Sequence, residues 1–152
     1  MKKKIIISAL PILFASFLLA FKMPSNVLPI GSSLPKADVK MRDVSGKMVT
    51  MNEAKNKKGL LVMFSCNTCP FVIRNQQRTK AVCKYAQMNE IGVILINSNE
   101  TQRNSDDSFE AMRNYAKDQE YEWYYVIDKD NIIADEFGAN RTPECETLFC
   151  RR

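Results

Sequence analysis

The chain has 152 residues, enough for one domain with a core of its own, and 45% of them are hydrophobic. Lys and Arg number 22 against 17 Asp and Glu, but Lys2, Lys3, Lys4 and Lys22 belong to the N-terminal leader; without them the balance is 18 to 17, too even for a surface that must neutralise nucleic-acid phosphates. Histidine is absent, which excludes His-assisted nucleophiles, His-ligated metals and imidazole proton shuttles and leaves the chemistry to sulfur, carboxylates and backbone.

Residues 1–21 place three lysines before an apolar run from Ile5 to Phe21, the parts of a signal peptide or of an uncleaved N-terminal membrane anchor. Leu18-Leu19-Ala20 is the nearest approach to a small-x-small cleavage site, and no cysteine is present there for lipid attachment. Either reading puts the protein outside the cytoplasm, periplasmic or held at the membrane by that segment, where a working thiol pair needs a redox partner to supply or accept electrons. Residues 22–35, rich in Pro and Ser and containing Gly31, read as a linker to a domain spanning 36–152. Ala37 to Met51 reads as a hairpin turning at Ser45-Gly46, with Val39, Met41, Val49 and Met51 inward, and Asn52 to Lys58 as a short helical turn over the sheet end.

Leu60 to Phe64 is unbroken apolar sequence, as expected of a strand buried on both faces. The chain then turns through Cys66-Asn67-Thr68-Cys69, and Pro70 fits only the first turn of a helix, where its missing N–H is not needed. This predicts Cys66 as the more exposed thiol, favoured as thiolate by the helix N-terminus. The helix runs from Phe71 to Met88, with Val72, Val82, Tyr85, Ala86 and Met88 expected inward. Cys83, fourteen residues beyond Cys69, lies about 21 Å along that helix, out of reach of the pair, and is expected to pack as a small hydrophobe.

Gly92 to Asn97 reads as a second buried strand, followed by a polar loop from Ser98 to Ser105 and a helix from Asp106 to Gln119 with Ser105 as N-cap. Phe109, Met112, Tyr115 and Ala116 form its inward face. Trp123 to Ile127 is a third strand, closed by the turn Asp128 to Asn131, then a short helix Ile132 to Phe137 capped by Gly138, and a last strand Glu144 to Phe149. The cluster Tyr121, Trp123, Tyr124 and Tyr125 reads either as a peptide-binding platform or as ordinary sheet residues.

A buried strand, Cys-x-x-Cys-Pro, a long helix and, far downstream, Arg141-Thr142-Pro143 together resemble the thioredoxin-like redoxin superfamily. The segment Ile30 to Met51, with Gly31, Pro35, Asp43 and Gly46, resembles the start of the redoxin branch that joins peroxiredoxins to membrane-associated thiol-disulfide oxidoreductases. The Cys-Asn-x-Cys-Pro-Phe-Val form resembles a bacterial redoxin subgroup, and the likeness extends from about Ile30 to Thr147. It implies an α/β thioredoxin-like fold: a central mixed β-sheet flanked by helices and preceded by the N-terminal β-hairpin. It also implies a cis Thr142-Pro143 bond beside the cysteine pair, with Thr142 and Pro143 binding substrate and no cofactor. Relative to that pattern the chain stops before one more strand and a final helix, so the domain is expected to be C-terminally incomplete.

The chemistry expected is thiol-disulfide exchange: Cys66 attacks a substrate disulfide, and Cys69 resolves the mixed disulfide, so that Cys66 and Cys69 form the redox-active disulfide. Substrates are then disulfide-containing or dithiol proteins or small thiols. A thiol peroxidase is the first alternative, but the Pro-x-x-x-Thr/Ser-x-x-Cys pattern of peroxiredoxins is missing. Counted back from Cys69 the hydroxyl slot holds Cys66 and the proline slot Val62; counted from Cys66 they hold Met63 and Gly59. Further alternatives are an inactive truncated redoxin and a thiolate metal module using Cys66, Cys69, Cys145 and Cys150. Cys145 is also placed to make an alternative disulfide near Pro143, or to be a plain strand residue.

Overall fold

The computed structural model describes residue 28 and residues 32–149. The expected leader, residues 1–21, lies outside them, as does Cys150. The hairpin is β1 (Met41–Asp43) and β2 (Met48–Val49), paired Met41 to Val49 and Arg42 to Met48. Gly46 supplies the positive φ of 90° at its turn. Asp43, although buried, is fully used: its carboxylate accepts from the Ser45 and Tyr125 N–H groups, closing the turn and tying the hairpin to the strand that carries Tyr125.

Met51 opens a helix instead of ending the hairpin. Thr50 and Glu53 form a reciprocal capping box that starts α1 (Met51–Ala54). Met51 nevertheless points inward, with no exposure. The remaining elements are β3 (Gly59–Phe64), α2 (Pro70–Met88), β4 (Ile91–Asn97), a 3-10 turn at Glu100–Gln102, α3 (Phe109–Asp118), β5 (Tyr124–Ile127), a second 3-10 turn at Lys129–Asn131, α4 (Ile132–Phe137) and β6 (Glu144–Phe149).

Hydrogen bonds order four strands β2-β1-β5-β4 and pair β3 with β6. β4 and β5 run parallel, whereas β1 meets β5, and β6 meets β3, antiparallel. β3 lies alongside β4, and where it ends the Ser65 N–H donates to the Ile96 carbonyl at 2.8 Å. The mixed sheet flanked by helices is thus as expected.

Alternation along β3 explains the two cores. Leu60, Val62 and Phe64 face one side, where Ile94, Ile96 and Val126 meet α1 and α4. Leu61 and Met63 face the other, where Val93, Leu95 and Tyr125 meet α2 and α3. Each such buried apolar side chain contributes about 1.5–3 kcal/mol. The Phe64 and Phe137 rings meet edge to face at 5.6 Å on the first side. Leu28 and Leu34, within the stretch expected to be linker, pack against that same cluster.

Two helices depart from expectation. On α2, Val72 and Ala86 are buried as expected, but Val82, Tyr85 and Met88 are exposed and Gln76, Thr79 and Cys83 take the inward places. Gln76 is tolerated there because its amide donates to the Tyr121 hydroxyl at 2.8 Å and accepts from Tyr115 at 3.3 Å. α3 begins at Phe109, not Asp106; its N-cap is Ser108, whose hydroxyl accepts from the Ala111 N–H, while Ser105 bonds Gln102 instead.

Candidate active site

β3 delivers the chain to Ser65, and there the backbone leaves the sheet. Cys66 and Asn67 follow as buried residues, Thr68 is exposed, and Cys69 is half-buried at the N-cap of α2 with Pro70 in the first turn. Cys69 has no side-chain cap bond to offer the helix, but its carbonyl accepts from the Ile73 N–H at 3.0 Å. Its sulfur therefore sits where the helix leaves N–H groups unpaired.

The Thr142-Pro143 peptide is cis, and Thr142 faces both sulfurs. Its hydroxyl is 3.5 Å from the Cys66 Sγ, and its carbonyl is 3.5 Å from the Cys69 Sγ, whose thiol donates to it. Both cysteines are thiols in the structure.

The expected order of the two is reversed. Burial pushes the Cys66 thiol above its ordinary value of 9.0, helped by the negative charges of Asp107 and Cys69 and only partly offset by the Thr142 hydroxyl and the Cys69 N–H. Burial acts on Cys69 in the same sense, but hydrogen bonds from the Thr142 hydroxyl, the Val72 and Phe71 N–H groups and the Cys66 thiol outweigh it and lower Cys69. The cause of the correction is the helix start: α2 begins after the second cysteine, so Cys69, not Cys66, receives its N–H groups and is the more exposed thiol. The consequence is measurable. In the reduced protein, iodoacetamide labelling followed across pH reaches half-maximal rate for Cys69 below pH 9 and for Cys66 only above it; the opposite order contradicts this geometry.

Beneath the loop lies a buried polar cluster that sequence reasoning missed. The Asp107 carboxylate, fully buried, accepts from the Asn67 N–H at 2.8 Å and from the side-chain amides of Asn97 and Asn99, both at 2.7 Å. The Asn67 side chain accepts from the Tyr125 hydroxyl at 2.9 Å and donates to the Asp106 carbonyl at 2.6 Å. Arg103 closes the loop by donating to the carbonyls of Asn97 and Asp107, both at 2.8 Å. Polar Asn97 ending the apolar run of β4 was the available signal; a carboxylate forty residues from its partner was not.

A cleft of about 560 Å³ opens beside Cys69. Its walls come from the cysteine loop, the Ser98 to Gln102 segment, α4 with Asn131, and Asn140 to Thr142. A larger hollow of about 1090 Å³ lies among the hairpin, α1, α3 and Trp123, with no cysteine in its walls. Cys83 is fully buried in the core of α2, away from the cleft. The four-thiolate metal arrangement depends on Cys150, outside the described residues; among the described residues no three Cys, Asp or Glu side chains group as metal ligands. Cys145, in β6, pairs through its backbone with Met63 of β3. Tyr121, Trp123 and Tyr125 face inward as sheet and core aromatics, and Tyr124 alone of that cluster is exposed. Among the described residues no helix is long and apolar enough to cross a membrane.

A family model described as the AhpC/TSA family matches residues 30–151. The chain belongs to the AhpC/TSA family. Comparison with curated proteins gives no significant match for this redoxin. Solved structures place it among thioredoxin-like folds. It is similar to an uncharacterized conserved protein from Geobacillus kaustophilus, at 26% identity and TM-score 0.75 over 82% of this chain and 65% of that one. A hypothetical protein from Sinorhizobium meliloti is similar at 27% identity and TM-score 0.70, over 80% of this chain and 67% of that one. The thioredoxin domain of a thiol-disulfide oxidoreductase from Bacteroides vulgatus shares the fold at 16% identity and TM-score 0.62, over 80% of this chain and 81% of that one. The AhpC/TSA chain thus spans just under two thirds of the length of the Geobacillus protein.

Proposed function

We propose that this redoxin is a thiol-disulfide oxidoreductase working through Cys66 and Cys69. The observation that carries the reading is a pair of thiols three residues apart at a helix N-terminus, one with its thiolate favoured, both facing Thr142 at the edge of an open cleft. Cys69 as thiolate attacks a substrate disulfide, forming a Cys69-substrate bond and expelling the second substrate sulfur as thiolate. Cys66 then gives its proton to the substrate thiolate expelled first and attacks the Cys69 sulfur, forming the Cys66-Cys69 disulfide and releasing the other substrate sulfur as a thiolate, which takes up from solvent the proton Cys69 had lost. The protein is oxidised by two electrons and the substrate disulfide is reduced to two thiols; the reverse sequence oxidises a dithiol. This exchanges the roles assigned from sequence and keeps the pair.

Thr142 and Pro143 bind the substrate: Pro143 offers no N–H, which leaves neighbouring backbone to pair with an extended segment. The substrates are disulfide-containing or dithiol proteins, or small thiols, and a second protein supplies or accepts the electrons. The lysine-capped apolar leader supports an exported location, periplasmic or tethered at the membrane. Two assays on the reduced protein test the reading: reduction of a disulfide-bonded protein coupled to dithiothreitol, and consumption of hydrogen peroxide. Turnover in the first and not the second is expected. Rapid peroxide loss without disulfide reduction replaces the reading by a thiol peroxidase.

A further inference from the structure

We propose that Asp107 is the positioning residue of the redox loop, holding the Asn67 peptide so that Cys66 stays buried while Cys69 alone is presented to substrate. The inference rests on the reading of Cys66 and Cys69 as a redox couple. Asn67 is one of only two residues between the cysteines, so whatever fixes its backbone fixes the geometry of the pair. Its N–H donates to Asp107 at 2.8 Å, and its side chain is held at both ends, by Tyr125 and by the Asp106 carbonyl. Thr68, the other intervening residue, is exposed, so the restraint acts through Asn67.

Asp107 is itself immobilised. Asn97 at the end of β4 and Asn99 in the following loop each donate to it, and Arg103 holds its carbonyl while its other guanidinium nitrogens reach the Asn97 carbonyl and Glu100. Burying a carboxylate is costly unless it is hydrogen-bonded, and here three donors, the Asn67 N–H and the side-chain amides of Asn97 and Asn99, satisfy it and fix its position. The cluster therefore joins the 98–108 loop to the cysteine loop as one unit.

Charge follows from the same placement. Besides burial, the groups that act on Cys66 are Thr142, Cys69 at the start of α2 and Asp107 before α3, while Tyr115 on α3 and Tyr125 on β5 in turn feel the charge of Cys66. Of these Asp107 is the carboxylate, and its negative charge opposes a second one on Cys66. It thus adds to burial, the larger effect, in disfavouring a thiolate at Cys66.

The test uses the full chain, wild type and Asp107→Asn. In the variant the alkylation profile of Cys66 moves to lower pH by about one pH unit, and the rate of protein-disulfide reduction falls about 10-fold or more. A residue that only supported the fold would change stability without moving the Cys66 profile. In the wild type, amide exchange provides a second readout that needs no variant. The Asn67 N–H exchanges at least about 100-fold more slowly than that of Thr68. If Asp107→Asn does not fold, this exchange decides. The proposal is overturned if the Cys66 profile and the rate both stay within twofold of wild type, or if the Asn67 and Thr68 amides exchange alike. Failure of the wild type to form a Cys66-Cys69 disulfide refutes the functional reading instead, and the Cys66 profile and the Asn67 exchange still decide the role of Asp107.

Discussion

With the proposed roles, replacing Cys69 by serine is expected to lower disulfide reduction by at least about 10³-fold, because the attacking sulfur would be gone and a serine hydroxyl at the same helix N-terminus stays protonated. Replacing Cys66 by serine has a different outcome. Cys69 still attacks, since the Val72 and Phe71 N–H groups and the Thr142 hydroxyl remain to favour its thiolate, but nothing resolves the product. A stable mixed disulfide between Cys69 and substrate accumulates, one substrate per chain, visible by mass spectrometry and released by dithiothreitol. The Cys66→Ser protein is thus a trap for natural substrates, whereas Cys69→Ser captures none. If instead Cys69→Ser traps substrate and Cys66→Ser does not, the roles revert to those suggested by sequence, and the buried position of Cys66 must open on binding.

Gly92→Ala is the substitution expected to damage the fold most for the least chemical change. Gly92 is the second residue of β4, and a Cβ there would lie 1.9 Å from the Ala54 carbonyl oxygen and 2.9 Å from its carbon. Those atoms are backbone at the end of α1, anchored by the Thr50–Glu53 capping box and by fully buried Met51. They cannot rotate away as a side-chain end would. The helix must lift from the sheet and surrender part of the packing of Met51 and Ala54. The expected cost is about 3 kcal/mol or more, a drop of about 10 °C in melting temperature, read by thermal or urea unfolding of the reduced protein. A loss under about 1 kcal/mol contradicts the close approach of α1 to β4.

What sequence disclosed and what it hid follow from where each residue finds its partners. The β3 strand was legible because a strand covered on both faces must be apolar throughout, and Leu60 to Phe64 are all buried. Pro70 marked the helix start for the equally local reason that only the first turn spares an N–H. The inward face of α2 was not legible, because Gln76 is buried on the strength of Tyr115 and Tyr121, far along the chain, while apolar Val82, Tyr85 and Met88 are left outside. Ser105 and Ser108 are equally good caps by composition. Asp107, occupied with Asn67, Asn97 and Asn99, helps explain why the helix waits for Ser108. The same long-range bond hid the exposure of the cysteines: the motif states that two thiols stand at a turn, and the depth of each is set by contacts from residues forty and more positions away.

The proposed chemistry requires Cys66 and Cys69 to form one reversible two-electron couple. It is tested most directly by equilibrating the protein in glutathione buffers of graded potential, quenching with an alkylating reagent and locating the labelled cysteines by mass spectrometry. A single transition is expected, in which Cys66 and Cys69 gain and lose label together while Cys83 stays out of it. Independent titration of the two, or a disulfide joining either of them to Cys145 or Cys150 in place of each other, would contradict it.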